Sequence, residues 1–151
     1  MNQERIVMTS LSDVSLIIAT YNEGSSLDYV LSEIESYDFK EVIIVDGHSV
    51  DNTVEIAKKH GAKVFLQTTE GWGAAVLEGF QNATGEYLTY MDGDGSYRPT
   101  SIIEMKNNIN KYDVVFGSRY KGGAKSPDDT FIRSLGNSLF TYIVRKVFQI
   151  D

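Results

Sequence analysis

The chain has 151 residues, a size typical of one domain, and 42% of them are hydrophobic, which is enough for a buried core. The net charge of −7 argues against non-specific binding to nucleic acid, and the absence of cysteine excludes disulfides and thiolate metal sites. No segment has the roughly 20 apolar residues of a membrane-spanning helix, and no signal peptide is recognisable, so we expect a cytoplasmic protein.

Short runs rich in branched apolar residues recur along the chain and predict β-strands at 14–20, 41–47, 62–67, 86–94 and 113–119. The central runs LII and VIIV are continuous, as is typical of strands that are covered on both faces.

Helical patterns occupy the segments between these runs. SLDYVLSEIESY places its apolar residues on one face, and DNTVEIAKKHG begins with the candidate caps Asp51 and Asn52 and ends at Gly61, a candidate C-cap. Two further helices are predicted, in WGAAVLEGFQNATG and PTSIIEMKNNI, and a long amphipathic helix with a break near Gly136 follows the loop 121–129.

This alternation predicts an α/β fold with a mostly parallel, Rossmann-like sheet and helices on both faces. We expect a single domain over 1–151, with a core at 13–120 and a loop and amphipathic helix at 121–151. Residues 119–150 carry six basic and two acidic side chains, so this part of the chain favours an anionic partner.

Polar residues gather where the predicted strands end, in TYNEGSS, DGHSVDNT, DGDGS and GSRYKGG. In an open α/β sheet, ligands bind beyond the carboxyl ends of the strands. A binding site is therefore expected at this edge, with the candidates Tyr21, Asn22, Glu23, Asp46, His48, Asp92, Asp94 and Arg119.

Asp92 and Asp94 are two residues apart, directly after a buried run. Side chains at this spacing on extended backbone point to the same side, and paired carboxylates suit Mg²⁺ or Mn²⁺ completed by substrate phosphates. An acidic glycine turn is the alternative.

Taken together, VSLIIATYNE, VIIVDGHSVDNT, GWGAAVLEGFQNATGEYLTYMDGDGS and DVVFGSRY resemble family 2 glycosyltransferases of the GT-A fold, above all those that act on polyprenyl phosphates. The resemblance covers residues 13–150, with the motifs in the order and at the spacing of the family.

The resemblance implies a role for each matched residue. Thr20, Tyr21 and Glu23 would hold the base and ribose of a nucleotide-diphospho-sugar, and Asp46 would also contact the nucleoside. Asp92 and Asp94 would bind the divalent cation on the diphosphate, and Arg119 and Arg133 would meet the acceptor phosphate. Catalysis would rest on Asp94, Asp92 and Arg119.

The implied reaction transfers the sugar with inversion from a GDP- or UDP-sugar to a polyprenyl phosphate at the cytoplasmic face of a membrane. A phosphate acceptor is already ionised and needs no general base, so orientation and charge stabilisation supply the catalysis. Relatives continue with an acceptor-side segment beyond the last residue of this chain, which leaves a non-catalytic nucleotide-sugar-binding module as the alternative.

A sugar nucleotidyltransferase is less favoured, because TYNEGSS has no basic residue. Several single residues allow a second interpretation. Tyr21 and Glu23 could be ordinary residues at the start of a helix, and Asp46 a turn residue. Trp72 could line the donor pocket or pack a helix, and His48 is interpreted as structural. The terminal helix could cover the core or lie on a membrane surface. The sugar, the base, the acceptor and the oligomeric state are not determined by the sequence.

Overall fold

The computed structural model describes residues 10–118 and 131–148 of the chain. Their helices and strands are, in chain order, β1 (Val14–Thr20), α1 (Gly24–Ile34), β2 (Glu41–Asp46), α2 (Thr53–Lys59), β3 (Lys63–Leu66), α3 (Trp72–Asn82), β4 (Tyr87–Asp92), α4 (Thr100–Ile109) and α5 (Phe131–Phe148). The four strands form one parallel sheet in the order β3–β2–β1–β4. The predicted α/β class is confirmed.

The chain divides into two compact units, Met1–Val115 and Phe116–Asp151. The sheet and α1 to α4 belong to the first unit, and α5 belongs to the second. Helix α5 continues through Gly136, so the break predicted there is absent. That residues 1–151 form a single domain stays a prediction.

Both faces of the central strands β1 and β2 are buried, as their continuous apolar runs predict. On β1, Leu16 and Ile18 pack into one core cluster together with residues of α1, α2 and α4, whereas Ile17 packs into a second cluster that includes Ala75 of α3. Successive side chains of a strand point to opposite faces, so one apolar run supplies both clusters.

The prediction of a fifth strand at 113–119 is wrong for the residues that the structure describes. Residues 113–118 form no strand, and the side chains of Val114 and Phe116 are 63% and 77% exposed. A β-like run becomes a strand only where a neighbouring backbone pairs with it. Within the described residues, none pairs with this one.

The strands end level with one another at the carboxyl edge. Thr20 pairs with Asp46, Asp46 pairs with Leu66, and Ala19 pairs with Asp92. This register brings the three loops that carry the predicted site residues to one edge of the sheet.

Candidate active site at the carboxyl edge of the sheet

A cleft of about 380 Å³ lies at this edge, within the first unit. The loops after β1, β2, β3 and β4 all contribute to it, together with the first turn of α3. Its lining residues are Ala19, Thr20, Tyr21, Glu23, Gly47, Gln67, Gly71, Trp72, Ala75, Asp92, Gly93 and Asp94. Five of the residues that the sequence singled out for donor binding therefore lie together: Thr20, Tyr21, Glu23, Asp92 and Asp94.

All the charged side chains that line the cleft are acidic. Glu23, Asp92 and Asp94 contribute carboxylates, and no lysine or arginine is among the lining residues in the described part of the chain. A diphosphate entering this cleft would therefore meet negative charge unless a cation entered with it.

Asp92 and Asp94 follow the buried Met91 at the end of β4. Ser96 holds the carboxylate of Asp94: its backbone amide donates to Oδ1 at 2.8 Å and its hydroxyl donates to Oδ2 at 2.9 Å. The turn is completed by Gly95, whose φ of +81° favours glycine.

The donor set of the cleft fits a divalent cation of the Mg²⁺ or Mn²⁺ type. Asp92 and Asp94 offer hard carboxylate oxygens to the same space, and the described residues contain no group of three or more His, Cys, Asp or Glu side chains that could hold a metal alone. Such a cation commonly takes one or two carboxylates and completes its shell with water and substrate phosphates.

Asp46 ends β2, as predicted, and its side chain is held by the loop that follows. It is fully buried and does not line the cleft. Its Oδ1 accepts hydrogen bonds from the hydroxyls of Thr20 at 3.3 Å and Ser49 at 2.6 Å, and its Oδ2 accepts one from the backbone amide of Ser49 at 2.8 Å. The carboxylate of Asp46 therefore holds the loop after β2. That Asp46 also contacts the nucleoside stays a prediction.

Asn22 and His48 also serve the loops that surround the cleft. Both have positive φ, +55° and +64°, which is uncommon for residues other than glycine. The amide of Asn22 donates to Ser49 Oγ at 2.8 Å, and its side-chain oxygen accepts from the amide of Val50 at 2.9 Å. The loops after β1 and β2 are therefore joined by hydrogen bonds, and neither Asn22 nor His48 lines the cleft.

Asp51 joins the same two loops from the side of the helices. Its Oδ2 accepts from the amide of Gly24 at 3.0 Å, at the start of α1, and its Oδ1 accepts from the amide of Thr53 at 3.0 Å, at the start of α2. The prediction that Asp51 is a cap is confirmed, and the carboxylate serves two helices. Hydrogen bonding to Thr53 and Gly24 outweighs burial and lowers the pKa of Asp51. Asn52 makes no capping hydrogen bond through its side chain.

Trp72 lines the cleft and also packs against the sheet. Its ring makes an edge contact with Tyr90 on β4, with 5.5 Å between the ring centroids. Tyr21, on the loop after β1, is 63% exposed and presents a second aromatic ring to the cleft.

Sequence reasoning missed Gln67, which lines the cleft directly after β3. The signal available in the sequence was its place at the carboxyl end of a predicted strand. A single amide side chain there carries no motif, so only the structure could identify it.

The side chains of the two predicted acceptor-side residues lie outside the described part of the structure. Arg119 lies outside the described residues, and Arg133 lies on α5 but its side chain is not described. None of the described helices is long and apolar enough to cross a membrane.

Comparison with known families decides the class of the chain. The model of glycosyl transferase family 2 matches residues 15–148. The chain belongs to this family. Relatives of this family 2 member include the dolichol-phosphate mannosyltransferase of Pyrococcus furiosus, 36% identical over 81% of this chain and 37% of the relative. The dolichyl-phosphate hexose transferase of Haloferax volcanii is 34% identical over 78% of this chain and 52% of the relative.

Solved structures of related proteins have the same fold. Glucosyl-3-phosphoglycerate synthase of Mycobacterium tuberculosis, crystallised with Mn²⁺ and UDP, matches with a TM-score of 0.57 at 19% identity over 64% of this chain and 39% of its own. Mannosyl-3-phosphoglycerate synthase of Rubrobacter xylanophilus matches with a TM-score of 0.59 at 22% identity. The match covers 65% of this chain and 36% of the synthase. The family 2 member has the GT-A fold, as expected. It spans about a third to a half of the length of the relatives that it matches.

Proposed function

We propose that this chain binds a nucleotide-diphospho-sugar in the cleft at the carboxyl edge of the sheet and transfers its sugar, with inversion, to a lipid phosphate. The observation that carries the proposal is the charge of the cleft. Its lining combines Asp92 and Asp94 with no basic residue among the described ones, so it suits a diphosphate that arrives with a divalent cation.

The names of the relatives support the donor and acceptor classes. Dolichol-phosphate mannosyltransferase and dolichyl-phosphate hexose transferase are named for a lipid phosphate, and the glucosyl-3-phosphoglycerate synthase structure holds Mn²⁺ and UDP. By analogy, the acceptor here is a polyprenyl phosphate and the donor is a UDP- or GDP-sugar. A peripheral position at the cytoplasmic face of a membrane follows from such an acceptor.

The roles of the residues follow from their positions. Asp92 and Asp94 would hold Mg²⁺ or Mn²⁺, which stabilises the charge on the diphosphate leaving group. Tyr21 would offer its exposed ring to the base, and Glu23 would accept hydrogen bonds from the ribose hydroxyls. Thr20 positions the loop after β2 through its hydrogen bond to Asp46.

The acceptor side of the proposal rests on the matched motif positions of Arg119 and Arg133. A guanidinium group binds phosphate through two parallel hydrogen bonds and would orient an acceptor oxygen toward the sugar. Because the acceptor is already ionised, no side chain has to remove a proton from it.

Calorimetric titration with UDP and GDP, each with and without Mn²⁺, tests the donor site. We expect one of the two nucleotides to bind only with the metal, and Asp94→Asn to weaken that binding at least about tenfold, because a neutral amide is a poor ligand for a hard cation. Asp113→Asn, at an exposed aspartate that does not line the cleft, is the matched control and should bind as the wild type does.

Failure of both nucleotides to bind in the presence of Mn²⁺ or Mg²⁺ would refute the donor site. Nucleotide binding without transfer of labelled sugar from UDP-glucose or GDP-mannose to dolichyl phosphate would instead favour a non-catalytic binding module.

A further inference from the structure

The loop 67–71, between β3 and α3, forms one wall of the cleft. Gln67 begins this loop, Gly71 ends it, and Trp72 follows as the first residue of α3; all three line the cleft. Gly71 has a φ of +109°, and a β-carbon there would meet nothing within 4 Å. A glycine in open space has several accessible backbone conformations, so contacts elsewhere must select the one observed.

Glu78, on α3, supplies the contacts from outside the loop. Its Oε2 accepts from the backbone amide of Thr68 at 2.9 Å, and its Oε1 accepts from the hydroxyl of Thr68 and the amide of Thr69, both at 2.8 Å. These hydrogen bonds, those of Thr68 first, outweigh burial and lower the pKa of Glu78. Within the loop, the side chain of Gln67 donates to the carbonyl oxygens of Thr69 and, at 2.7 Å, Gly71.

Glu78 can act on the cleft through this loop. Its own side chain does not line the cleft, whereas Trp72 and Ala75 of the same helix do. The helix starts where the loop ends, and the amide of Ala75 donates to the carbonyl oxygen of Gly71 at 3.1 Å. Release of the loop would therefore also loosen the first turn of α3, which carries the ring of Trp72 into the cleft.

We propose that Glu78 is a positioning residue of the donor cleft, whose carboxylate fixes the loop 67–71 and thereby holds Trp72 in the wall that the nucleotide donor meets. A wall that is already ordered needs no further ordering when the donor binds. A mobile wall lowers the apparent affinity, because the binding-competent conformation is populated for only part of the time. The inference rests on the proposed function, because the donor is the ligand proposed for this cleft.

Trp72 is the only tryptophan of the chain, so its fluorescence reports on this wall directly. Glu78→Gln keeps the size of the side chain, removes its charge and turns one of its two acceptors into a donor. Without ligand, we expect acrylamide to quench Trp72 about twofold more strongly in this variant, because the ring is 54% exposed when the loop is held. Glu70→Gln, the same change at an exposed glutamate within the loop, should leave the quenching unchanged.

The same two variants test the effect on the donor. With Mn²⁺, the affinity for whichever of UDP and GDP the wild type binds should fall about tenfold in Glu78→Gln, the effect of about one charge-assisted hydrogen bond. It should be unchanged in Glu70→Gln. At saturating nucleotide, the quenching of Trp72 in Glu78→Gln should return to the value of the nucleotide-bound wild type, because binding orders the loop.

A second variant and a folding control keep the test independent of global stability. Thr68→Val removes one hydrogen bond to Glu78 without changing the charge, and should raise the quenching and weaken the nucleotide by smaller amounts. Urea unfolding followed by circular dichroism establishes that each variant is folded under the assay conditions. A role in stability alone would lower the unfolding midpoint and leave the quenching of the folded protein unchanged.

Two results would overturn the role of Glu78 and leave the donor site standing. One is quenching of Trp72 in Glu78→Gln that equals the quenching in the wild type or in Glu70→Gln. The other is stronger quenching with an unchanged nucleotide affinity. Failure of both nucleotides to bind the wild type with Mn²⁺ would instead refute the proposed function, and this inference with it.

Discussion

At the scale of single residues, buried carboxylates in this protein hold the backbone through hydrogen bonds. Glu41, at the start of β2, is 8% exposed and accepts hydrogen bonds from Ser15 at 2.6 Å, from the amide of Thr84 at 2.6 Å and from Lys63 at 2.6 Å. Burial would raise the pKa of Glu41, but these hydrogen bonds outweigh it and lower the pKa to about 2. Asp46 performs a similar structural task at the other end of the same strand.

Glu41→Gln should lower the free energy of unfolding by about 2 kcal/mol at pH 7, because it removes a charged acceptor from a buried network. The pKa of the folded carboxyl lies below its ordinary value of 4.5. The ionised form therefore stabilises the protein fully above that value, and its contribution is lost as the pH falls toward about 2.

Urea unfolding at pH 7, 5 and 3.5 measures this dependence. The difference in the free energy of unfolding between Glu41→Gln and the wild type should be constant from pH 7 to 5. At pH 3.5 this difference should be smaller by about 1 kcal/mol. Glu86→Gln, at an exposed glutamate, should show neither effect. A difference for Glu41→Gln that does not change with pH would contradict the ionic role of Glu41.

At the scale of helices and strands, close approach and charge decide how the helices pack. Helix α3 lies so near the sheet that a β-carbon at Gly79 would be 2.4 Å from Cγ2 of Ile17 on β1. Helices α1 and α2 are joined by His60, whose ring nitrogens lie 2.9 Å from Oδ1 of Asp28 and 2.6 Å from Oε1 of Glu35.

Gly79→Ala should destabilise the protein by about 1–3 kcal/mol, because the new methyl group must displace a side chain of the core. Gly73→Ala in the same helix is the matched control. A β-carbon there meets nothing within 4 Å, so the higher helix propensity of alanine should stabilise the protein by up to about 1 kcal/mol. In thermal and urea unfolding, the two variants should change the stability of the protein in opposite directions. Equal changes in stability would mean that α3 does not pack on β1 this closely.

His60→Gln should weaken the link between α1 and α2 in a pH-dependent way. The hydrogen bond to Asp28 outweighs burial and, with Glu35, raises the pKa of His60 above its ordinary value of 6.5. The stabilisation is therefore complete below pH 6.5 and is lost as the pH rises through the raised pKa.

Melting temperatures of His60→Gln and the wild type, measured from pH 5.5 to 9, provide the test. The two curves should be furthest apart at pH 5.5 and converge toward pH 9. Lys59→Gln removes only an exposed lysine that pairs with Asp28 at 3.2 Å, so its melting temperature should stay close to that of the wild type at every pH. A constant separation for His60→Gln would show that the charge of the imidazole contributes nothing.

At the scale of the whole molecule, the chain combines an acidic cleft with a basic segment. The lining residues of the cleft that the structure describes all belong to the first unit, whereas residues 119–150 carry six basic and two acidic side chains. Under the proposed function the two parts have separate tasks, donor binding and acceptor binding. Substitutions in the basic segment should then affect transfer without affecting nucleotide affinity.

Under the proposed function, Arg119→Ala should reduce sugar transfer to dolichyl phosphate by about a hundredfold, because the acceptor phosphate would lose a charged hydrogen-bonding partner. The affinity for the nucleotide with Mn²⁺ should stay within twofold of the wild type. Lys111→Ala, at an exposed lysine, controls for the loss of one positive charge. Loss of nucleotide affinity in Arg119→Ala would instead assign Arg119 to the donor side.

The sequence by itself determined the fold class, the first four strands and the acidic pair. Continuous apolar runs between helical patterns indicate buried parallel strands, because periodicity and burial are local properties of the chain. For the same reason, Thr20, Tyr21, Glu23, Asp92 and Asp94 could be assigned to one edge of the sheet from their positions after strands, and the structure places all five in one cleft.

Only the tertiary structure decided which polar residues of that edge face the cleft. Asp46 is buried against Thr20 and Ser49, whereas Gln67 lines the cleft because two carbonyl oxygens fix its amide. The run at 113–118 could not be predicted correctly from the sequence for a similar reason. Its residues have high β propensity, but no described strand pairs with them. Side-chain direction and strand pairing depend on contacts between segments far apart in the chain, and local residue patterns do not contain those contacts.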